Sequence, residues 1–106
     1  MQPLKSFQKK YLRGLAHGLR PLVQIGQKGL SDGLISELDQ ALETHELVKV
    51  KFNEVKTKGD KLKVLDTICE QLGSELVALL GHVGILYRRH SDRDREHLRV
   101  PVREII

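Results

Sequence analysis

Residues 20–31 read Arg-Pro-Leu-Val-Gln-Ile-Gly-Gln-Lys-Gly-Leu-Ser, so a short apolar run leads into a G-x-x-G segment and then a serine. The β-branched residues within 22–25 predict a strand, and Ser31 is a favourable N-cap for a helix that follows. Gly26 and Gly29 carry no side chain that would keep a ligand from the backbone, and Lys28 adds a cation. These features suit contact with a sugar–phosphate backbone, and a plain strand-to-helix turn is the alternative interpretation.

Apolar periodicity on both sides of this stretch predicts the remaining elements. Three- and four-residue spacing predicts helices over 4–18, 32–44 and 60–72, and alternation or short apolar runs predict strands over 22–25, 47–52, 75–80 and 83–88. Gly81-His82 is a two-residue link that suits a type II′ hairpin turn. Because helices separate the first three strands, parallel neighbours joined by right-handed crossovers are expected. The predicted fold class is α/β: a single compact domain in the order α-β-α-β-α-β-β, with a four-stranded mixed sheet packed by three helices.

The length of 106 residues fits one domain, which we place at residues 1–90. Residues 91–106 mix charges of both signs and then alternate apolar side chains, which indicates a charged C-terminal tail that is either mobile or docked on a sheet edge. No apolar run is long enough to span a membrane, and the single cysteine, Cys69, cannot form an internal disulfide. A cytoplasmic protein is therefore expected, with Cys69 as a small core residue.

Charge is distributed in blocks rather than mixed along the chain. Residues 1–29 hold six Lys or Arg and no acid, residues 30–46 hold five acids and no base, and residues 47–65 hold six bases and two acids. If folding gathers the basic blocks on one side, the result is the surface of a polyanion binder, and chance clustering on an inert surface is the alternative. The candidate cations are Lys5, Lys9, Lys10 and Arg13 on the first helix, Arg20 before the first strand, Lys28 in the loop, and Lys49 and Lys51 on the second strand.

Lys49 and Lys51 alternate with Val48, Val50 and Phe52, so one face of the second strand is apolar and the other carries two cations. The two lysines could extend a basic surface that begins on the first helix. Lysines on an outer strand also protect a sheet edge against pairing with other chains, and this second reading stays open at the level of the sequence.

Several segments, taken together and in order, resemble one family. They are Leu12-Arg13-Gly14-Leu15-Ala16-His17, Leu19-Arg20-Pro21, Ile25-Gly26-Gln27-Lys28-Gly29-Leu30-Ser31, His45-Glu46-Leu47-Val48-Lys49-Val50-Lys51, and Gly81 with Leu86-Tyr87-Arg88. They resemble the chloroplast RNA splicing and ribosome maturation (CRM) domain, most closely its stand-alone bacterial YhbY-type form. The resemblance implies a fold similar to the C-terminal domain of translation initiation factor three. It also implies RNA binding, in bacteria in association with precursors of the large ribosomal subunit.

By the same resemblance, the RNA-binding residues are expected to be those of the G-x-x-G loop and the basic helix, together with the strand-two lysines. In this chain they are Gly26, Gln27, Lys28, Gly29, Lys9, Lys10, Arg13, Lys49 and Lys51, with Lys5 and Arg20 adding to the positive field. His82 departs from the family pattern, in which Lys or Arg is usual. Gly29→Asp is expected to weaken RNA binding without loss of stability, provided that Gly29 does not need a positive φ angle.

No enzymatic chemistry is indicated by the sequence. The five histidines have no metal-ligand spacing, and no Walker loop, nucleophile elbow or H-E-x-x-H motif occurs. We therefore expect a monomeric protein whose partner is RNA, most simply ribosomal RNA, with no catalytic residues, metal, cofactor, membrane or small-molecule substrate. The alternative function is a protein–protein adaptor that uses the acidic second helix and the C-terminal tail.

Overall fold

The computed structural model describes residues 3–27, 29–53, 57–90 and 100–101. Lys28 and nearly all of the predicted tail, apart from Val100 and Pro101, lie outside the described residues. The elements are α1 (Ser6–Ala16), β1 (Val23–Ile25), α2 (Asp32–His45), β2 (Leu47–Phe52), α3 (Lys58–Leu72), β3 (Glu75–Leu80) and β4 (Val83–Tyr87). The predicted order α-β-α-β-α-β-β is confirmed, and each boundary lies within two residues of its predicted position.

The sheet has the strand order β1-β2-β4-β3. β1 pairs in parallel with β2, as Val23 lies opposite Val50, whereas β4 is antiparallel to both of its neighbours. The mixed sheet is therefore confirmed, with β4 inserted between β2 and β3. At the hairpin between β3 and β4, Gly81 has φ +60° and His82 does not have a positive φ, as a type II′ turn requires.

The helices divide unequally between the two faces of the sheet. α2 and α3 cover one face, where the ten buried residues of the larger core cluster lie: Val23, Ile25, Leu38, Leu42, Val48, Val50, Phe52, Leu65, Ile68 and Leu86. α1 alone covers part of the other face and buries Leu12 and Ala16 against side chains of β2, β3 and β4. The result is a three-layer domain in which one layer is a single helix.

Gly84 sets how closely α3 approaches the sheet. A Cβ atom at this position would lie 2.8 Å from Cδ2 of Leu65 and 3.2 Å from Cγ2 of Val50, and both of these side chains are fully buried. A larger residue would force the core apart, because close-packed interiors have no space to absorb a methyl group. The absence of a side chain on β4 is thus what allows α3 to lie against the two central strands.

Helices α2 and α3 begin at side-chain N-caps, and α1 ends in a turn. Ser31 Oγ accepts the backbone N–H of Leu34 at 3.1 Å, and Thr57 Oγ1 accepts that of Asp60 at 3.1 Å, so both helices have N-caps. Helix α1 ends at Ala16, two residues before the predicted end. The reason is that the N–H of Leu19 turns back to the carbonyl of Ala16 at 3.0 Å, which closes a turn before Pro21.

Arg88 joins the end of the sheet to both helices of the larger layer. Its Nη1 donates to Asp39 Oδ1 at 2.7 Å and to the carbonyl of Leu72 at 3.0 Å, and its Nη2 donates to the carbonyl of Asp39 at 3.0 Å. The side chain is 16% exposed, so these charge-assisted bonds are largely shielded from water. Arg88 lies one residue beyond β4, and its N–H donates to the carbonyl of Glu46 at 2.8 Å.

Glu46 makes the turn from α2 into β2. It has φ +63°, a backbone conformation that non-glycine residues seldom adopt, and its side chain is buried. Its carboxylate Oε2 accepts the N–H of His90 at 2.7 Å. The backbone and side chain of this residue therefore fasten the segment that follows β4 to the start of β2.

We expect Arg88→Ala to lower the free energy of unfolding by about 1–3 kcal/mol, because the Leu72 carbonyl loses its guanidinium donor and Asp39 loses its ion-pair partner. Arg88→Lys should recover only part of this loss, since an ammonium cannot reach three acceptors with the geometry of a guanidinium fork. Urea denaturation measures both. Arg89→Ala, the exposed neighbour, is the matched control and should change stability little. If Arg88→Lys were as stable as the original protein, a positive charge at this position would account for the stabilisation without the guanidinium geometry.

Candidate nucleic-acid interface

The part of the sheet face beside β1, on the side that carries α1, is not covered by any helix in the described part of the chain. Val23, Val50 and Phe52 point into the larger core, so Gln24 and Lys51, which alternate with them, point to the α1 side. Leu22 and Lys49 lie on this side too. We call Leu22, Gln24, Lys49 and Lys51 the open strip, of which all but the half-buried Lys49 are exposed.

The place of β2 in the sheet decides between two readings of its lysines. β2 is hydrogen-bonded to β1 on one side and to β4 on the other. An interior strand has no free edge to protect, so edge protection does not explain Lys49 and Lys51. The lysines instead place positive charge on the uncovered face of the sheet.

The segment 26–29, which we call the glycine loop, lies at one end of the open strip. The N–H of Gly29 donates to the carbonyl of Gly26 at 3.0 Å and closes a four-residue turn. The N–H of Asn53 donates to the carbonyl of Ile25 at 3.0 Å, and its Nδ2 donates to Gln24 Oε1 at 2.8 Å. The loop therefore lies beside the end of β2, one residue past Phe52, and close to Lys51.

The β3–β4 hairpin turn adjoins the same end of the sheet. The carbonyl of His82 accepts the N–H of Phe52 at 2.8 Å, and the buried Lys61 of α3 donates from Nζ to the carbonyl of Gly81 at 2.9 Å. Asn53 and Lys61 were missed by the sequence analysis. A polar residue directly after the end of the second strand, and a lysine on the apolar side of α3, are the signals that could have identified them.

The two glycines of the loop differ in what they tolerate. An added Cβ would meet no atom within 4 Å at either position, so both present bare backbone to solvent. Gly29, however, has φ +68°, whereas Gly26 does not lie in the left-handed region. The condition attached to Gly29→Asp is therefore not met, and we now expect this change to lower stability as well as RNA binding. A substitution of Gly26 therefore tests RNA binding without straining the backbone.

The predicted cations that the structure describes fall into two groups. Lys49 and Lys51 lie on the open strip, and Arg20 lies two residues before its first member, Leu22; Lys49 also donates from Nζ to the carbonyl of Leu19 at 3.0 Å. The second group is at α1: the N-cap Lys5 and the helical Lys10 and Arg13 are exposed, and Lys9 is half-buried.

The start of α1 is anchored far from the glycine loop. The N–H of Leu4 donates to the carboxylate of Glu75, at 2.8 Å from Oε2, and Glu75 begins β3. β3 is the edge strand opposite β1, and the two run in the same direction, so the first residue of β3 lies diagonally across the sheet from the end of β1. The structure therefore brings Lys51 and the glycine loop together, but it does not bring Lys5 to them.

An apolar hollow of about 350 Å³ lies at the other end of the open strip. Its lining consists of Leu15, Leu19, Arg20, Leu22, His45, Leu47 and Lys49. Leu15 and Leu19 are 41% and 44% exposed. Leu15 lies in the last turn of α1 and Leu19 lies beyond its end, so both line the hollow instead of packing under the helix.

Acidic side chains of α2 are used within the chain. Asp39 pairs with Arg88 at 2.7 Å, and Glu43 Oε1 lies 3.6 Å from His90 Nε2. Neither contributes to the hollow, whose lining contains no acid. The hollow therefore adds no negative charge next to the lysines of the open strip.

The single cysteine of the sequence lies in the layer behind the sheet and not at this surface. Cys69 packs against the larger core, and burial raises the pKa of its thiol, as expected for a core residue and not for a nucleophile. Among the residues that the structure describes, no cluster of His, Cys, Asp and Glu could hold a metal ion. No helix in those ranges is long and apolar enough to cross a membrane.

Comparison with known proteins identifies related sequences over most of the chain. The sequence model of the CRS1/YhbY (CRM) domain matches residues 4–88. An RNA-binding protein of Haemophilus influenzae is 38% identical over 88 residues, which cover 83% of this chain and 88% of the relative. A probable RNA-binding protein of Pseudomonas aeruginosa is 36% identical over 83 residues, which cover 78% of this chain and 79% of the relative.

A similar structure is also known. The solution structure of a hypothetical protein of Staphylococcus aureus, proposed to bind RNA, matches with a TM-score of 0.78 at 36% sequence identity. The match covers 93% of this chain and 100% of that one.

We expect the two loop glycines to respond differently to a methyl group. Gly29→Ala should lower the free energy of unfolding by about 1–2 kcal/mol, because alanine is strained at a positive φ angle. Gly26→Ala should change it by less than about 0.5 kcal/mol, since the position is open and needs no left-handed backbone. Equilibrium urea denaturation of the two variants is the measurement. Equal losses at both positions would show that the turn needs glycine throughout.

Proposed function

The chain belongs to the CRS1/YhbY (CRM) domain family, and on that basis we propose that it binds ribosomal RNA within precursors of the large ribosomal subunit and assists their assembly. The relatives named as RNA-binding proteins support RNA as the partner. The family's association with large-subunit precursors in bacteria supports the ribosomal assignment. The protein acts by binding and not by catalysis, as a monomer in the cytoplasm.

The observation that carries the proposal is the bare glycine loop beside a strip of sheet whose charged residues are all cations. Backbone amides and lysines are the groups that proteins use to hold phosphate oxygens. Gly26 and Gly29 carry no side chain, and the space that a Cβ would occupy at each position is open. A sugar–phosphate backbone can therefore approach the main chain closely. Lys51 lies beside the loop, and Lys28, predicted as a phosphate partner from its place in the sequence, lies outside the described residues.

The cations of α1 have a different part in this proposal. Lys10 and Arg13 are exposed on a helix that borders the open strip, whereas Lys5 directly precedes that helix at the far corner of the sheet. They supply a long-range positive field that steers and weakly holds RNA, and the glycine loop and strip fix its position. Recognition of this kind follows the shape and backbone of RNA more than its base edges.

The adaptor function is less well supported. Asp39 and Glu43 of α2 are engaged with Arg88 and His90, so two of the four acids of this helix are used within the chain. Of the predicted tail, the described residues Val100 and Pro101 contact the α1 side of the domain: Val100 packs on the smaller core, and the Pro101 carbonyl accepts Gln8 Nε2 at 2.9 Å. The division into a domain of residues 1–90 and a separate tail stays a prediction.

Salt dependence tests the electrostatic part of the proposal. With about five phosphates neutralised, the logarithm of the association constant for single-stranded or irregular RNA should fall against log salt with a slope of roughly −3.5. Lys51→Gln should reduce the slope by about 0.7, the share of one phosphate contact. Lys63→Gln, an exposed lysine of α3 in the layer behind the sheet, is the matched control and should leave the slope unchanged. If Lys51→Gln and Lys63→Gln reduced the slope equally, the net charge of the protein, and not the position of Lys51, would determine binding.

The ribosomal part is tested by sedimentation of tagged protein in cell lysate through a sucrose gradient at low salt. We expect the original protein in the large-subunit precursor fractions and folded Gly26→Asp at the top, because a carboxylate on the loop repels phosphate. Gln40→Glu makes the same change in net charge on the exposed face of α2 and should sediment with the precursors. If the original protein stays at the top although it binds purified RNA, the ribosomal assignment is wrong. If Gly26→Asp enters the particles, the glycine loop is not the contact.

A further inference from the structure

The hollow at the end of the open strip is not accounted for by phosphate binding. It is walled by leucines, of which Leu15, Leu19 and Leu22 are 41%, 44% and 49% exposed. Three exposed leucines around one concave surface leave apolar area in water, which is unfavourable unless a ligand covers it. The volume of about 350 Å³ is within the range of about 300–1,000 Å³ found for small-molecule pockets.

The polar groups around the hollow indicate what kind of ligand fits. Two cations, Arg20 and Lys49, contribute to the lining together with His45, and no acid does. The ligand should therefore combine a flat or compact apolar part with negative charge next to it. A nucleotide has this combination, since its base has apolar faces and its phosphate is an anion. The guanidinium plane of arginine is moreover a surface on which unstacked RNA bases pack.

The position of the hollow relative to the glycine loop favours the same ligand. Leu22 lines the hollow, and Gly26 begins the loop four residues further along extended chain, which corresponds to about 13 Å at about 3.3 Å per residue. Gln24 and Lys51 lie between them on the same face. A short stretch of single-stranded RNA that contacts the loop would therefore run along the strip to the hollow without leaving a basic surface.

We propose that the hollow holds one unstacked nucleobase of the bound RNA, with its floor formed by Leu15, Leu19, Leu22 and Leu47 and the flanking phosphate held by Arg20 and Lys49. This inference rests on the proposed function and extends it: the protein recognises single-stranded RNA that can release a base, in addition to the charge of the backbone. The scarcity of aromatic residues does not prevent such recognition, because aliphatic walls and a guanidinium plane can replace an aromatic platform.

The test compares a short single-stranded RNA with a strand of the same length that carries abasic ribose units, by fluorescence anisotropy at fixed salt. Leu19→Ser with Leu22→Ser should weaken binding of the base-bearing RNA about tenfold and that of the abasic strand by less than about twofold. Leu80→Ser is the matched control, since Leu80 is 51% exposed at the end of β3 and lies outside the hollow. It should leave both affinities unchanged.

Nuclear magnetic resonance of the unaltered protein gives a second measurement that does not depend on how the variants fold. The methyl signals of Leu19 and Leu22 should shift on addition of base-bearing RNA, because a base in the hollow places a ring current beside them. They should stay in place with the abasic strand, while amide signals of the glycine loop shift with both.

Several outcomes would overturn the inference. If the leucine substitutions weakened binding of the base-bearing and the abasic RNA equally, the leucines would only shape the site for the RNA backbone. If they left both affinities unchanged, RNA would not enter the hollow. If the leucine variants lost binding to an acidic amphipathic peptide but not to RNA, the hollow would be a protein contact. If the original protein bound neither strand, the proposed function itself would fail, and this result is distinct from the others.

Discussion

A single α-helix with its side chains is about 10–12 Å across, whereas four strands about 4.8 Å apart form a sheet about 19 Å wide. Two helices can cover such a face, and α2 and α3 do so here, but α1 alone cannot cover the other face. It packs over the β3 and β4 side, on residues such as Val77, Ile85 and Tyr87, and leaves the β1 side open. The candidate interface exists because the smaller layer contains one helix.

The fold is held in this unequal arrangement by contacts that lie away from the open face. Arg88 and Glu46 connect the end of β4 with α2 and α3, and Gly84 admits Leu65 against the central strands. These residues stabilise the larger layer and do not face RNA in the proposed arrangement. Much of the sequence that resembles the CRM domain is thereby explained by packing, including Leu12, Ala16 and the Leu86-Tyr87-Arg88 segment. The glycine loop, Arg20 and Lys51 are not explained in this way.

Element order was predictable from the sequence because periodicity and capping residues act locally. Ser31, the alternation in 47–52 and the Gly81-His82 link each specify their element within a few residues, and the structure agrees with them. The insertion of β4 between β2 and β3 had no local signal, since strand pairing depends on contacts between distant parts of the chain. The positive φ of Gly29 and the hollow were missed for a related reason: a loop angle and a concave surface arise from how neighbouring elements meet.

The pairing pattern of the sheet also bears on how its parts open. β1 contributes three residues to the sheet and pairs with β2 alone, whereas β3 and β4 contribute six and five residues. β1 therefore has the shortest ladder of backbone hydrogen bonds, and we expect it to be the first strand to detach. The glycine loop and Leu22 flank this strand, so the surface that would receive RNA lies on the most weakly held part of the domain. Occupancy by a ligand would slow the opening of β1 without altering the rest of the fold, which links binding to local unfolding.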